Sequence, residues 1–237
     1  MKKLILFTLI FFFYNAYCQN SDIYEVDYVL QLNNEVLKES LKTMENENSK
    51  SFISKHAKNF EEVQAKLTFN PKGAKYAVKK QLESDAKPKS NFFENHAGGN
   101  SIYYFDNIKK TTYYTSTLMK KTNVVYKSDE WKILNETEEI LGFTCYKAEL
   151  ILDQEGKMYA WFTNEIPYPY GPMRFNNLPG LILKVEVKEG LITYLATSIK
   201  KKRKGKPIIE ESNNRFIDED EYRKELKKNN PVFEGFE

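Results

Sequence analysis

Short runs of alternating apolar and polar residues, joined by turns too brief to hold a helix, constrain this chain more than any other feature. Over Ile23–Leu32, Tyr24, Val26, Tyr28, Leu30 and Leu32 alternate with mostly polar neighbours, the period-two signature of a half-buried strand. Val63–Phe69 and Lys75–Lys79 repeat the signal around Asn70-Pro71-Lys72-Gly73. There Pro fixes φ at the second position and Gly supplies a positive φ or a tight closure. The series continues through Ser101–Asp106, Thr111–Leu118, Asn123–Lys127, Trp131–Glu138, Phe143–Leu152, Lys157–Thr163, Leu181–Val187 and Leu191–Lys200. Asn107–Lys110, Ser128–Glu130, Glu139–Gly142, Asp153–Gly156 and Lys188–Gly190 are the turns between them. Parallel neighbours need crossovers of roughly a dozen residues or more, so connections this short dictate antiparallel pairing. The expected fold is mainly β (α+β): a single large twisted antiparallel meander sheet of about eight to ten strands. Half-barrel curvature and one or two packing helices complete the expectation.

Two stretches carry helical signals. Val36, Leu37, Leu41 and Met44 have the spacing of one short amphipathic helix within the polar stretch Asn33–Ala57. Asp218–Lys228 places acids in a first turn and lysines in a last turn, matching the helix dipole, and Pro231 stops it. Leu82–Asn100, with Pro88, Gly98 and Gly99, reads as a long loop.

The N-terminus reads as a signal peptide over residues 1–18. Lys2 and Lys3 precede an apolar run, Leu4–Tyr14, and Ala16-Tyr17-Cys18 offers small residues at the cleavage positions. That run is shorter than the roughly twenty residues of a spanning helix. Tyr17 also argues against lipidation of Cys18, because a lipid-modified Cys follows a small residue. Residues 19–237 are then expected to form a single β-rich domain without a transmembrane segment, in the periplasm, at the outer-membrane periphery or secreted.

Composition narrows the chemistry. The formal net charge of +3 falls to about +1 once Lys2 and Lys3 leave, too little to steer the protein to nucleic acid. Sixteen Tyr and sixteen Phe supply the core area that strands favour. Cys145 becomes the only thiol, inside an apolar strand pattern, and reads as a core residue. His56 and His96 have no metal-ligand spacing, and no nucleophile elbow or phosphate-cradling loop occurs. No catalytic residue, cofactor or metal site is therefore expected. Asn135-Glu136-Thr137 fits the N-glycosylation pattern.

Two segments remain as candidates for contact. Ile166-Pro167-Tyr168-Pro169-Tyr170-Gly171-Pro172 is stiffened by three prolines and presents tyrosines with little entropy left to lose. Tyr168, Tyr170, Trp161, Arg174 and Phe175 are the candidate ligand or partner contacts there, against the alternative of a rigid crossover packed on the sheet. Lys200, Lys201, Lys202, Arg203 and Lys204 form a basic run suited to an anionic surface, or simply a solvated loop.

This part of the sequence resembles the GLPGLI family, also known as the Porphyromonas-type domain family. The matching elements are Trp131, Gly142-Phe143-Thr144-Cys145-Tyr146-Lys147-Ala148, Ala160-Trp161-Phe162-Thr163, Ile166-Pro167, Gly171-Pro172 and Leu178-Pro179-Gly180-Leu181-Ile182. Asn177 stands where the first glycine of the naming motif belongs, and Asn tolerates a positive φ. The resemblance implies an exported envelope or secreted protein of Bacteroidota with no established catalytic or cofactor residues. The expected function is a non-catalytic binding module for an apolar ligand or an extended peptide. An accessory interaction protein of an outer-membrane machine and an uncatalogued hydrolase are the alternatives.

Overall fold

The computed structural model describes residues 22–58, 60–80, 92–151, 157–203, 207–209 and 212–229. The leader, the 153–156 turn, Lys204 and Pro231 lie outside them. Strands β1 (Ile23–Leu32), β2 (Val63–Asn70), β3 (Gly73–Val78), β4 (Tyr103–Asp106), β5 (Thr111–Thr115) and β6 (Thr122–Val125) form a first meander. Strands β7 (Trp131–Ile140), β8 (Phe143–Leu150), β9 (Tyr159–Thr163), β10 (Leu181–Val187) and β11 (Ile192–Lys202) form a second. The two are joined by the antiparallel pair β1·β11, and β12 (Arg215–Asp218) adds in parallel to β6. The result is one twelve-stranded sheet, ordered β12-β6-β5-β4-β3-β2-β1-β11-β10-β9-β8-β7.

That order corrects the expectation of one uninterrupted meander, because β6 and β7 are not neighbours. Only Tyr126–Glu130 joins them, although they stand ten places apart in the sheet. A flat sheet would separate them by about 48 Å at roughly 4.8 Å per strand. The linker reaches only about 22 Å fully extended. The sheet must therefore curl until its two ends approach, with β12 and β7 as its edges. The eleven runs read in the sequence all become strands, more than the eight to ten expected, and the twelfth is β12, whose four residues RFID carry too little alternation to register.

Among the described residues four helices accompany the sheet: α1 (Asn34–Thr43), α2 (Glu47–Lys58), α3 (Phe92–His96) and α4 (Glu219–Asn229). The single helix expected over 33–57 is two, and the expected loop 82–100 contains α3. Asn33 caps α1, its side chain accepting from the amides of Glu35 at 3.0 Å and Val36 at 3.2 Å. In α3, Phe93 is buried at the start of a single turn, and Ala97 is buried just beyond it. Aromatic packing, not periodicity, holds so short a piece, since Phe93 meets Phe60 edge-on at 5.1 Å.

Register explains the core. Val26, Leu67, Tyr76, Tyr103, Tyr114, Val124 and Ile217 pair in succession across β1, β2, β3, β4, β5, β6 and β12, so all share one face. Tyr24, Phe69, Ala74 and Phe105 form a parallel row on the same face. In the second meander the turns set the register: Leu141 and Gly142, between β7 and β8, both take positive φ, 54° and 80°, as a tight two-residue hairpin favours. Bulges adjust it. Between Ile182 and Lys184 the register shifts at Leu183, and Leu181, Ile182 and Leu183 are all fully buried, Leu181 and Leu183 in one apolar cluster and Ile182 in another.

Candidate functional site

The crossover from β9 to β10 lies against the row of Tyr24, Phe69 and Phe105. Tyr168 packs 5.9 Å from Tyr24 and 5.4 Å from Phe69, and Tyr170 packs 5.7 Å from Phe69 and 5.8 Å from Phe105. The segment is pinned at both ends. Ile166 O accepts from the amides of Tyr168 (2.8 Å) and Leu181 (2.9 Å), and Tyr170 O accepts from Ile182 N at 2.9 Å. Gly171 and Gly180 allow the chain to close on itself: a Cβ would stand 2.8 Å from Phe175 O at the first and 2.0 Å from Thr163 O at the second. Asn177 holds φ at 71°, the left-handed conformation that a glycine would take at this turn.

This packing redistributes the expected contacts. Tyr170 and Phe175 are core residues, as are Pro172, Leu178, Leu181 and Ile182 of the motif. Trp161 is also buried, under Lys184 at 4.1 Å from its ring and Lys147 at 5.5 Å, and these lysines pair with Glu138 and Glu136. None of the three rings presents a free surface, because the crossover's own apolar content is spent on the sheet. Tyr168 and Arg174 stay half-exposed, while Pro179 is exposed. The basic run is part strand: Lys201 pairs with Asp22 at 2.7 Å and Lys202 with Glu25 at 2.8 Å, so two of its charges are neutralised internally. Lys200 and Arg203 are exposed. Cys145 is fully buried, and burial pushes its thiol up to about 11, which leaves no thiolate at neutral pH.

The residues that the crossover does bring together surround Arg174. The turn Pro172–Phe175, closed by Phe175 N donating to Pro172 O at 3.0 Å, sets the Arg174 guanidinium 5.0 Å over the Tyr126 ring. Its Nη1 reaches Glu219 of α4 at 3.3 Å. Around it stand Tyr103 and Tyr114, with ring centroids 5.4 Å apart, and Tyr222 of α4 edge-on to Tyr114 at 6.2 Å. Ser116 Oγ and Tyr222 Oη share a hydrogen bond of 3.1 Å. Tyr103, Tyr114 and Tyr222 are half-exposed, whereas Tyr126 is buried. Among the described residues the Tyr126 hydroxyl is buried with no hydrogen-bond partner.

Asp129 borders the cluster. Its Oδ2 accepts from Asn176 N at 3.2 Å, and its carbonyl accepts from Asn177 Nδ2 at 2.8 Å. Burial raises its carboxyl to about 6, with the Asn176 amide and Arg174 opposing the rise. Burial likewise raises Tyr103 to about 12, and lifts Tyr114 and Tyr126 further, so these three rings keep their hydroxyl protons at neutral pH. Sequence reasoning reached Arg174 and missed the rest. The available signal was the tyrosine density of 103–126, which acquires meaning only with the register that aligns Tyr103 with Tyr114.

No group of three or more His, Cys, Asp and Glu side chains among the described residues is placed to hold a metal ion. No helix among them is long and apolar enough to cross a membrane.

Residues 76–224, more than half of the chain, match the family described as N-glycanase peptide, N-terminal domain. The chain belongs to this family. Every residue of the GLPGLI resemblance falls inside the matched span, and so does the whole Arg174 cluster. Among solved structures, the N-glycanase N-terminal fold recurs in PNGF-II in a C2 crystal form, with a TM-score of 0.57 at 16% identity over 87% of this chain. PNGF-II in a P21 form gives 0.54 at 17% identity, again over 87%. This chain spans 33% of the PNGF-II chains. No curated protein matches it in sequence.

Proposed function

We propose that the chain is an exported, non-catalytic binding module that holds a glycan at the Arg174–tyrosine cluster. The observation that carries this reading is a half-exposed tyrosine surface, Tyr103, Tyr114 and Tyr222, set beside a fixed guanidinium. Flat, electron-rich rings accept the C–H faces of a pyranose, while guanidinium, carboxylate and phenol groups bond its hydroxyls. Membership of a family named for the N-terminal domain of an N-glycanase supplies the ligand class, and the leader and the GLPGLI resemblance supply the exported setting. Burial of Tyr170 and Phe175 narrows the earlier expectation of an apolar ligand or an extended peptide toward a polar one.

The test is calorimetric titration of the purified chain with an N-glycopeptide and with the same peptide lacking its sugar. Binding of the glycopeptide alone, lost in Arg174→Ala and Tyr114→Ala variants that melt normally, is the expected result. Equal binding of both peptides, or of neither, overturns the reading. Release of the glycan during the titration would overturn its non-catalytic part.

A further inference from the structure

We propose that the Arg174 cluster is selective for neutral sugars, and that Glu219 is the residue that turns acidic sugars away. This rests on the glycan-binding reading above and adds the class of sugar.

Charge and hydrogen-bond type set this preference. Arg174 is the cation of the cluster, and two carboxylates answer it. Glu219 reaches its Nη1 at 3.3 Å, and Asp129, held on Asn176 N at 3.2 Å, lies near enough for both Arg174 and Glu219 to act on its carboxyl. With both acids ionised, the site carries one positive and two negative charges. A ligand carboxylate would have to displace Glu219 from the guanidinium and would still face Asp129. A neutral sugar needs no such exchange, because hydroxyls bond to the free lone pairs of Glu219 and leave the ion pair in place.

The second observation is Tyr126. It is 4% exposed, lies under the Arg174 guanidinium, and its hydroxyl has no partner among the described residues. A buried hydroxyl left unpaired is a cost that a ligand removes by supplying a group able both to donate and to accept. A sugar hydroxyl meets that need with the Arg174–Glu219 pair left in place, whereas a carboxylate, although it could accept from the Tyr126 hydroxyl, brings a further negative charge beside Glu219 and Asp129. The helix that brings Glu219 has no buried residue, so it can adjust over the site at little packing cost.

The experiment compares one N-glycopeptide with and without its terminal sialic acids, titrated against the wild-type chain and against Glu219→Gln. The half-exposed position of Glu219 at the first turn of α4 makes this variant safe for the fold, and its melting curve checks that. The expected result is wild-type preference for the desialylated glycopeptide by about fivefold or more. In Glu219→Gln that ratio falls toward one, because the sialylated form gains. Equal affinity of wild type for the two forms, or a preference that Glu219→Gln leaves unchanged, overturns the inference while the binding module stands. Failure of the wild type to bind either form overturns both readings.

Discussion

Gly180→Ala tests the central claim about the crossover, which is that this glycine is required for space and not for backbone freedom. The added Cβ would lie 2.0 Å from Thr163 O and 2.7 Å from Thr163 C, both backbone atoms that cannot rotate aside. Real Cβ contacts under 3.0 Å are essentially unknown, so the start of β10 must move by at least about 1 Å. That movement strains two hydrogen bonds made by the next residues, Leu181 N to Ile166 O and Ile182 N to Tyr170 O, each 2.9 Å. It also unseats Leu181, Ile182 and Leu183, all fully buried. Allowing about 1 kcal/mol for each hydrogen bond and about 1–3 kcal/mol for the forced repacking gives a loss of about 3–5 kcal/mol. Urea unfolding followed by tryptophan fluorescence is a suitable assay, since Trp161 pairs with Lys184 of β10 and senses this strand directly. Gly142→Ala is the control. Its Cβ would meet nothing within 4 Å, and its φ of 80° should cost only about 1 kcal/mol. If Gly180→Ala lost no more than Gly142→Ala, the close-approach argument would be wrong.

Other perturbations follow from the same geometry. Asn177→Gly should lose only the side-chain hydrogen bond to Asp129 O, about 0.5–1 kcal/mol by denaturant melting, because both residues accept a φ of 71°. Asn177→Val at the same position should lose about 1–2 kcal/mol, from the strain a β-branched residue suffers there. Tyr28→Phe should lose about 1–2 kcal/mol, since Ile182 O would forfeit a 2.6 Å hydrogen bond in the core, whereas Tyr126→Phe should be neutral or slightly stabilising because its hydroxyl has no partner. Asp129→Asn tests the raised carboxyl. A folded value of about 6 against an ordinary 3.8 means that the native state holds the proton more tightly, so Asp129 lowers stability as pH rises from about 4 to 6. Asp129→Asn should remove that loss, at most about 3 kcal/mol at pH 7, and unfolding at pH 4.5 and 7.5 should show a variant-minus-wild-type difference that grows with pH. A difference independent of pH would refute the assignment.

Most of the sheet was legible because its strands are written in alternation and its turns in glycine and charge. β1 and β10 begin and end where the pattern says, and Asn177 takes the positive φ expected of it. What escaped detection depends on partners distant in sequence. No local signal pairs β1 with β11, or lays Arg215–Asp218 beside β6, because register is decided by faces that meet only after the sheet curls. The crossover tyrosines illustrate the same limit. A stiff Tyr-Pro segment looks the same whether it faces solvent or covers Phe69 and Phe105, and only the position of β2 and β4 decides between them. Arg174 was visible as a residue and invisible as a site, since its neighbours come from β4, β5, the linker after β6 and α4.

The pairing of β1 with β11 also orders events in time. Made from its N-terminus, the chain completes β1 to β6 while β1 still has one bare side, and the strand that covers it arrives only near residue 192. The second meander has to be assembled by then, because β11 comes at its end. Assembly thus consists of two local problems followed by two late dockings, β11 on β1 and then β12 on β6, and the vulnerable interval is the one in which Val26, Tyr28 and Leu30 wait beside an open edge.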